Sequence, residues 1–187
     1  MSKFGVFANL VAIAGSLAAA AAAISLAFLK QANWRPPEEA IPAAVPRMSA
    51  LISMIFIAMI YVFGVDLGRI GLGILAGGLL FLALFFLAIA IHINTAFSFY
   101  YPNRKKENRK LGGDTLTDEA QEIKREKRIP EQQLFEDAQG SKDLVWTRAS
   151  QSRVQIKAVL SFIGLIAFGT CALAAASMLV ALFVPTS

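Results

Sequence analysis

Ile70–Ile91 reads IGLGILAGGLLFLALFFLAIAI and holds no Asp, Glu, Lys or Arg. A helix rises about 1.5 Å per residue and the hydrocarbon core of a bilayer is about 30 Å thick, so about 20 such residues cross it. Three more stretches share the property: Phe4–Leu29, Met48–Val65 and Ala158–Val184. With Ile70–Ile91, their bounds give runs of 26, 18, 22 and 27 residues in chain order. The expected fold class is all-α, a polytopic membrane protein with four transmembrane helices and a cytoplasmic helical insert between the third and fourth. The implied organisation is residues 1–101 for three spans with a Pro-rich loop at 30–47, residues 102–157 for the charged helical region, and residues 158–187 for the fourth span.

The 187 residues are 56% hydrophobic and 17% charged, and the charge is concentrated. Of 18 Lys and Arg, 13 lie between Arg104 and Lys157, and of 13 Asp and Glu, 10 lie between Glu107 and Asp143. The net +5 thus divides into +3 (13 − 10) there and +2 (5 − 3) elsewhere. A pI near 9.6 invites a nucleic-acid reading. Membrane proteins, however, gather basic residues on one side for topological reasons, so nucleic acid is not the expected partner.

Loop one (Lys30–Arg47) and the long third loop (Pro102–Lys157) fall on the same side of four spans. They carry Lys30, Arg35, Arg47 and the 13 basic residues, against Lys3 and Arg69 opposite. The positive-inside rule then places both large loops in the cytoplasm and both termini outside, with the bacterial inner membrane as the expected location. The first span has a basic n-region and small residues suited to cleavage. Its apolar run nevertheless exceeds the roughly 7–15 residues of a signal-peptide core, and cleavage would put the long basic loop outside, so an uncleaved span is expected.

Loop one contains Pro36, Pro37, Pro42 and Pro46, which exclude a regular helix and favour an extended strip, either a stiff connector or a docking surface. Gly64 and Gly68 mark a tight turn between spans two and three. In the third loop the pattern turns helical from Thr115, with Thr115–Asp118 in capping-box form, acidic Asp118 and Glu119 in the first turn and Lys124, Arg125, Lys127 and Arg128 near the end. Pro130 starts a second helix, Glu131–Ala138, that stops at Gly140. Ser141 is placed to cap a third helix running unbroken into span four. The loop's large apolar residues are too few for an independent core, so its helices are expected to pack across subunits, to pack on a partner or to stay partly mobile, with subunit packing favoured. Tyr100 and Tyr101 suit an interfacial aromatic belt, whereas Trp146, a dozen residues before Ala158, suits that belt or the soluble part.

Lipid tails are as apolar as leucine, so spans associate through small residues that let backbones approach. Gly15, Ala19 and Ala23 in span one, Gly73 and Gly77 in span three and Gly164 in span four are the candidate packing positions. Phe81, Phe85 and Phe86 make a bulky counterpart facing lipid, filling a subunit interface or forming a hydrophobic gate.

Little here suggests chemistry. The chain has one His and one Cys, which leaves no zinc pattern and no Cys–His pair, and no phosphate-binding or nucleophile-elbow motif occurs. No enzymatic activity, cofactor or metal is expected. His92, near the loop end of span three, is the candidate for gating or proton sensing, because hydrocarbon penalises ionisable groups. Arg104, Lys105, Lys106, Arg109 and Lys110 form a basic cluster suited to anionic lipid or an acidic partner.

In layout, with almost no amino-terminal tail, four spans and a charged helical insert at Asn103–Lys157, the chain resembles the small four-span membrane subunits of bacterial anti-phage defence systems. The resemblance covers arrangement and not residues, and it transfers no site. It implies an oligomer that responds to infection and perturbs, or anchors at, the inner membrane. The expected partners are therefore membrane lipid, further copies of the chain and a cytoplasmic protein. A homo-oligomeric sensor, effector or channel-like subunit competes with a non-conducting scaffold for a soluble partner, and more weakly with a transporter subunit.

Overall fold

The computed structural model describes residues 42, 44–64, 66–103 and 106–181, with backbone alone at 102–103 and 106–108. The elements run α1 Ala44–Phe63, α2 Gly68–Ala96, β1 Ser98–Asn103, β2 Lys106–Leu111, α3 Asp118–Lys127, α4 Glu131–Asp137, α5 Lys142–Val145 and α6 Arg148–Ala181. The described chain is mostly helical, and α1, α2 and α6 are each long and apolar enough to cross a membrane. The first expected span, Phe4–Leu29, lies outside the described residues, as does loop one before Pro42.

The chain divides into two compact units. One holds Ala44–Leu87 and the α6 residues from Phe162 on; the other holds Ala88–Ser161. In the first, α1 begins at Ala44, ahead of the expected Met48. Pro46 is accommodated because it falls in the first turn, where backbone N–H groups have no intrahelical partner. The turn to α2 passes through Gly68 at φ +63°, a left-handed conformation that side chains resist. Gly64 is tight for another reason: a Cβ there would press on Met178 and on Leu72, itself fully buried. Tyr61 and Ser177 join α1 to α6 by a hydroxyl–hydroxyl hydrogen bond of 3.2 Å. Ser49 and Ser53, both buried, donate instead to carbonyls one turn back, at Val45 and Ser49. That leaves no unmet hydroxyl on this face of α1.

The second unit corrects the all-α expectation. Strands Ser98–Asn103 and Lys106–Leu111 pair as an antiparallel β-hairpin with Ser98 opposite Leu111, Tyr100 opposite Arg109 and Asn103 opposite Lys106. Three aromatics run together in Phe99-Tyr100-Tyr101, and aromatics fit a pleated surface better than a helix. Gly112 N donates to Phe97 O (2.8 Å), which sets the hydrogen-bonding parity of the ladder. By that parity Pro102 sits at a non-hydrogen-bonded position, where its missing N–H costs nothing.

This unit also has its own core, against the expectation that the loop lacks one. Phe99, Leu134, Phe135, Val145 and Trp146 are buried together, flanked by Tyr101, Leu116, Ile129 and Ala138. The hairpin supplies two of the aromatics, Phe99 and Tyr101. Tyr101 is therefore a core-edge residue against Phe135 and Gly140. Tyr100 stays exposed on the other face.

Helix boundaries differ from the expected ones in two places. Thr117, not Thr115, caps α3: its Oγ1 accepts from Ala120 N (3.3 Å). Thr117 wins because it also donates to Leu144 O (2.9 Å), tying the cap to α5. Thr117→Ala is expected to destabilise this unit by about 1–2 kcal/mol, and Thr117→Ser to cost less, as read from urea unfolding followed by tryptophan fluorescence.

The helix expected to run unbroken from Ser141 is interrupted. Trp146 is extended, at φ −119° and ψ 148°, and bridges Leu116. Thr117 N donates to Val145 O (3.0 Å) and Thr147 N to Thr115 O (3.1 Å), so a one-residue strand pairing replaces a helical turn. Ser141 makes no side-chain cap bond. The second expected helix stands: α4 closes with Gln139 and Gly140 at φ +53° and +74°, and Gly140 N donates to Phe135 O (2.9 Å).

Candidate functional site

The hairpin has two differently employed faces, both within the second unit. On one face Phe99 and Tyr101 stand beside Lys110, and they pack toward α4 and α5. Phe99 lies 4.5 Å from the Trp146 ring centre and Phe135 lies 5.4 Å from it. The Lys110 ammonium donates to Gly140 O (3.2 Å) at the end of α4. On the other face Ser98, Arg109 and Leu111 meet the long helices. Leu111 is buried with Ile93 of α2 and with Val154 and Ala158 of α6. Ser98 Oγ donates to Asn94 Oδ1 (3.3 Å), and Arg109 Nη2 donates to Asn94 O (2.8 Å).

Arg109 closes the C-terminus of α2. The last carbonyls of a helix lack intrahelical donors and carry partial negative charge, which a guanidinium answers on both counts. Its planar head also lies over the Tyr100 ring, 5.4 Å from the centroid, a cation–π contact across the non-hydrogen-bonded pair. The edge of β1 is closed as well. Tyr100 N donates to Gln132 Oε1 (3.2 Å), and Gln132 Nε2 donates to Tyr100 O (2.6 Å). One side-chain amide thus acts as a one-residue strand and occupies an edge that would otherwise invite pairing.

Two glycines let the chain leave the hairpin. A Cβ at Gly112 would strike the Phe99 and Trp146 rings, and one at Gly113 would strike Ser150 Oγ and the Trp146 Cβ. Ser150 cannot yield, because it is fully buried and its hydroxyl bridges Thr115 O (3.0 Å) and Thr147 O (2.9 Å).

The residues expected from sequence separate into several groups. Arg109 and Lys110 come together on the hairpin but are committed to intrachain partners. Arg104 and Lys105 lie outside the described residues, as do Gly15, Ala19 and Ala23 and the side chain of Lys106. His92 is exposed and lies edge-on to Phe97 at 6.5 Å between ring centres. Gly164 has the Phe86 ring directly on it, whereas a Cβ at Gly73 or Gly77 would meet nothing within 4 Å among the described residues. Among the described residues no three His, Cys, Asp or Glu group to hold a metal.

Asn94, Gln132 and the Gly112–Gly113 pair were not anticipated from sequence. The aromatic run Phe99-Tyr100-Tyr101 followed by a polar turn and paired glycines was the available signal for the hairpin. Comparison of the chain with protein-family models, with curated proteins and with solved structures finds no match in any of the three.

Proposed function

We propose that the chain is a non-enzymatic, oligomeric inner-membrane protein of the sensor or effector kind, in which the polar unit receives a signal and the spans respond. One observation supports this above others: the hairpin bears on the soluble helices with one face and on the ends of α2 and α6 with the other. Only Phe97 separates α2 from β1. A displacement of α4 would therefore reach the span ends through packed side chains rather than through a flexible tether. The clustering of basic residues favours the polar unit on the cytoplasmic side. The four-span layout favours a defence-system subunit that perturbs the membrane.

A second reading, a scaffold that recruits a soluble partner, is favoured by apolar side chains left exposed. Leu144 of α5 is 60% exposed and Ile123 of α3 is 39% exposed. Native mass spectrometry and ion flux from dye-loaded liposomes separate the two. The sensor or effector reading expects a multiple of the 20.2 kDa chain and a flux that changes when Gly140→Ala forces the Tyr101 contact apart. A monomer, with background flux from native chain and variant alike, overturns it.

A further inference from the structure

Two members of the basic cluster expected to clamp lipid are held within the chain, Arg109 by Asn94 and Tyr100 and Lys110 by Gly140. A different pair of cations remains outward on the same unit. Arg153 and Lys157 lie one turn apart on α6, so they share a face, and both are exposed. The Arg153 side chain is 60% exposed, and its ion pair with Asp114 Oδ2 spans 3.8 Å, long for a charged hydrogen bond. The same face continues with Ile156 (58% exposed) and Leu160 (56% exposed). Lys157 is the last charged residue before the apolar run, so the face changes from cationic to apolar within one turn.

We propose that this face, Arg153, Ile156, Lys157 and Leu160, is a binding site for an anionic phospholipid. The ammonium and guanidinium would hold the phosphate, and Ile156 and Leu160 would lie along the upper acyl chain. The argument is charge complementarity joined to position. Two adjacent cations attract a negative headgroup, and exposed apolar side chains one turn further into the span suit hydrocarbon and not an acidic protein segment. The Asp114 carboxylate partly offsets Arg153, so Lys157 carries more of the attraction. The inference rests on the membrane reading of α2 and α6, which carbonate extraction tests separately: a chain released by carbonate fails that reading and not the lipid preference.

The test uses the full chain in detergent, titrated with phosphatidylglycerol or phosphatidylcholine and read by native mass spectrometry. Phosphatidylglycerol should bind more tightly than phosphatidylcholine. Lys157→Gln and Arg153→Gln should weaken phosphatidylglycerol by roughly fivefold per cation, with Lys157→Gln the larger. Lys157→Arg should retain binding, and Asp114→Asn should strengthen it. Arg125→Gln on α3 removes the same charge elsewhere and should change nothing. On the unmutated chain, a photoactivatable phosphatidylglycerol should label the tryptic peptides bearing residues 153–160, with competition by phosphatidylglycerol and not by phosphatidylcholine. Equal binding of the two lipids, an equal loss in Arg125→Gln, or labelling confined to other segments overturns the proposal.

Discussion

Trp146→Ala is expected to open the polar unit by about 3–5 kcal/mol while leaving the long helices in place. Trp146 is 1% exposed and touches both Phe99 and Phe135, so truncation leaves a hole between the hairpin and α4. A unit of this size has little stability to spare, because domains in general hold about 5–15 kcal/mol. Where opening is fast relative to cleavage, proteolysis follows the open population, and the expected gain in tryptic cleavage at α3 is about a hundredfold or more. Trp146→Phe supplies the contrast. The indole N–H is buried and meets no acceptor among the described residues, so an all-carbon ring loses no hydrogen bond. The smaller ring costs some packing, but the removed polar burial offsets it, and the net change is expected within about 1.5 kcal/mol. Resistance to trypsin unchanged in Trp146→Ala would show that the aromatic cluster does not hold the unit together.

The long helices were readable because the capacity to cross a membrane needs only length and apolarity, which Met48–Val65, Ile70–Ile91 and Ala158–Val184 display without reference to any neighbour. The turn at Gly68 and the stop at Gly140 were readable because left-handed backbone selects glycine locally. The hairpin was hidden for a physical reason. Its register depends on partners at a distance: Gln132, thirty-two residues on, closes the β1 edge, and Asn94 receives Arg109. A basic run such as Arg104–Lys110 looks like a solvated or lipid-facing segment until those partners are in place. The break at Trp146 was hidden for the same reason. Nothing in Ser141–Lys157 is a helix breaker, and the helix gives way because Leu116 offers a strand partner and the aromatic cluster offers burial.

The candidate site was therefore legible in its residue types and not in their roles. Arg109 and Lys110 were singled out as surface cations. In the fold they serve as a helix terminator and as a tie to α4, which moves them from binding to positioning. Arg153 and Lys157, two of the 13 basic residues of the third loop, face outward beside the exposed Ile156 and Leu160. The distinction is testable on one axis. Changes at Arg109 should register in unfolding, and changes at Lys157 should register in lipid preference.

Gly164→Leu is expected to separate α2 from α6 in the apolar unit, with the buried thiol as reporter. A Cβ at Gly164 would lie 2.6–2.7 Å from three carbons of the Phe86 ring, closer than real contacts allow. Phe86 cannot readily move aside, because it stacks on Phe168 at 5.5 Å with planes 13° apart. Alanine at this position is an overpacking change of about 1–3 kcal/mol, and leucine exceeds it. Apolar transfer offers little restoring force between helices in lipid, so lost packing is not regained by other means. Cys171 is the only thiol in the chain and is 2% exposed, two turns along α6. Maleimide labelling should be slow in the native protein, intermediate in Gly164→Ala and fast in Gly164→Leu. Phe86→Ala in the leucine background should restore part of the protection, since the two changes share one contact. Gly77→Leu makes the opposite case. A side chain there meets nothing within 4 Å among the described residues, so Cys171 should stay protected. If copies associate through the Gly73–Gly77 face, that same variant should lose the oligomer in native mass spectrometry while the thiol remains shielded. A chain whose thiol is exposed by Gly77→Leu and untouched by Gly164→Leu would reverse the assignment of the two faces.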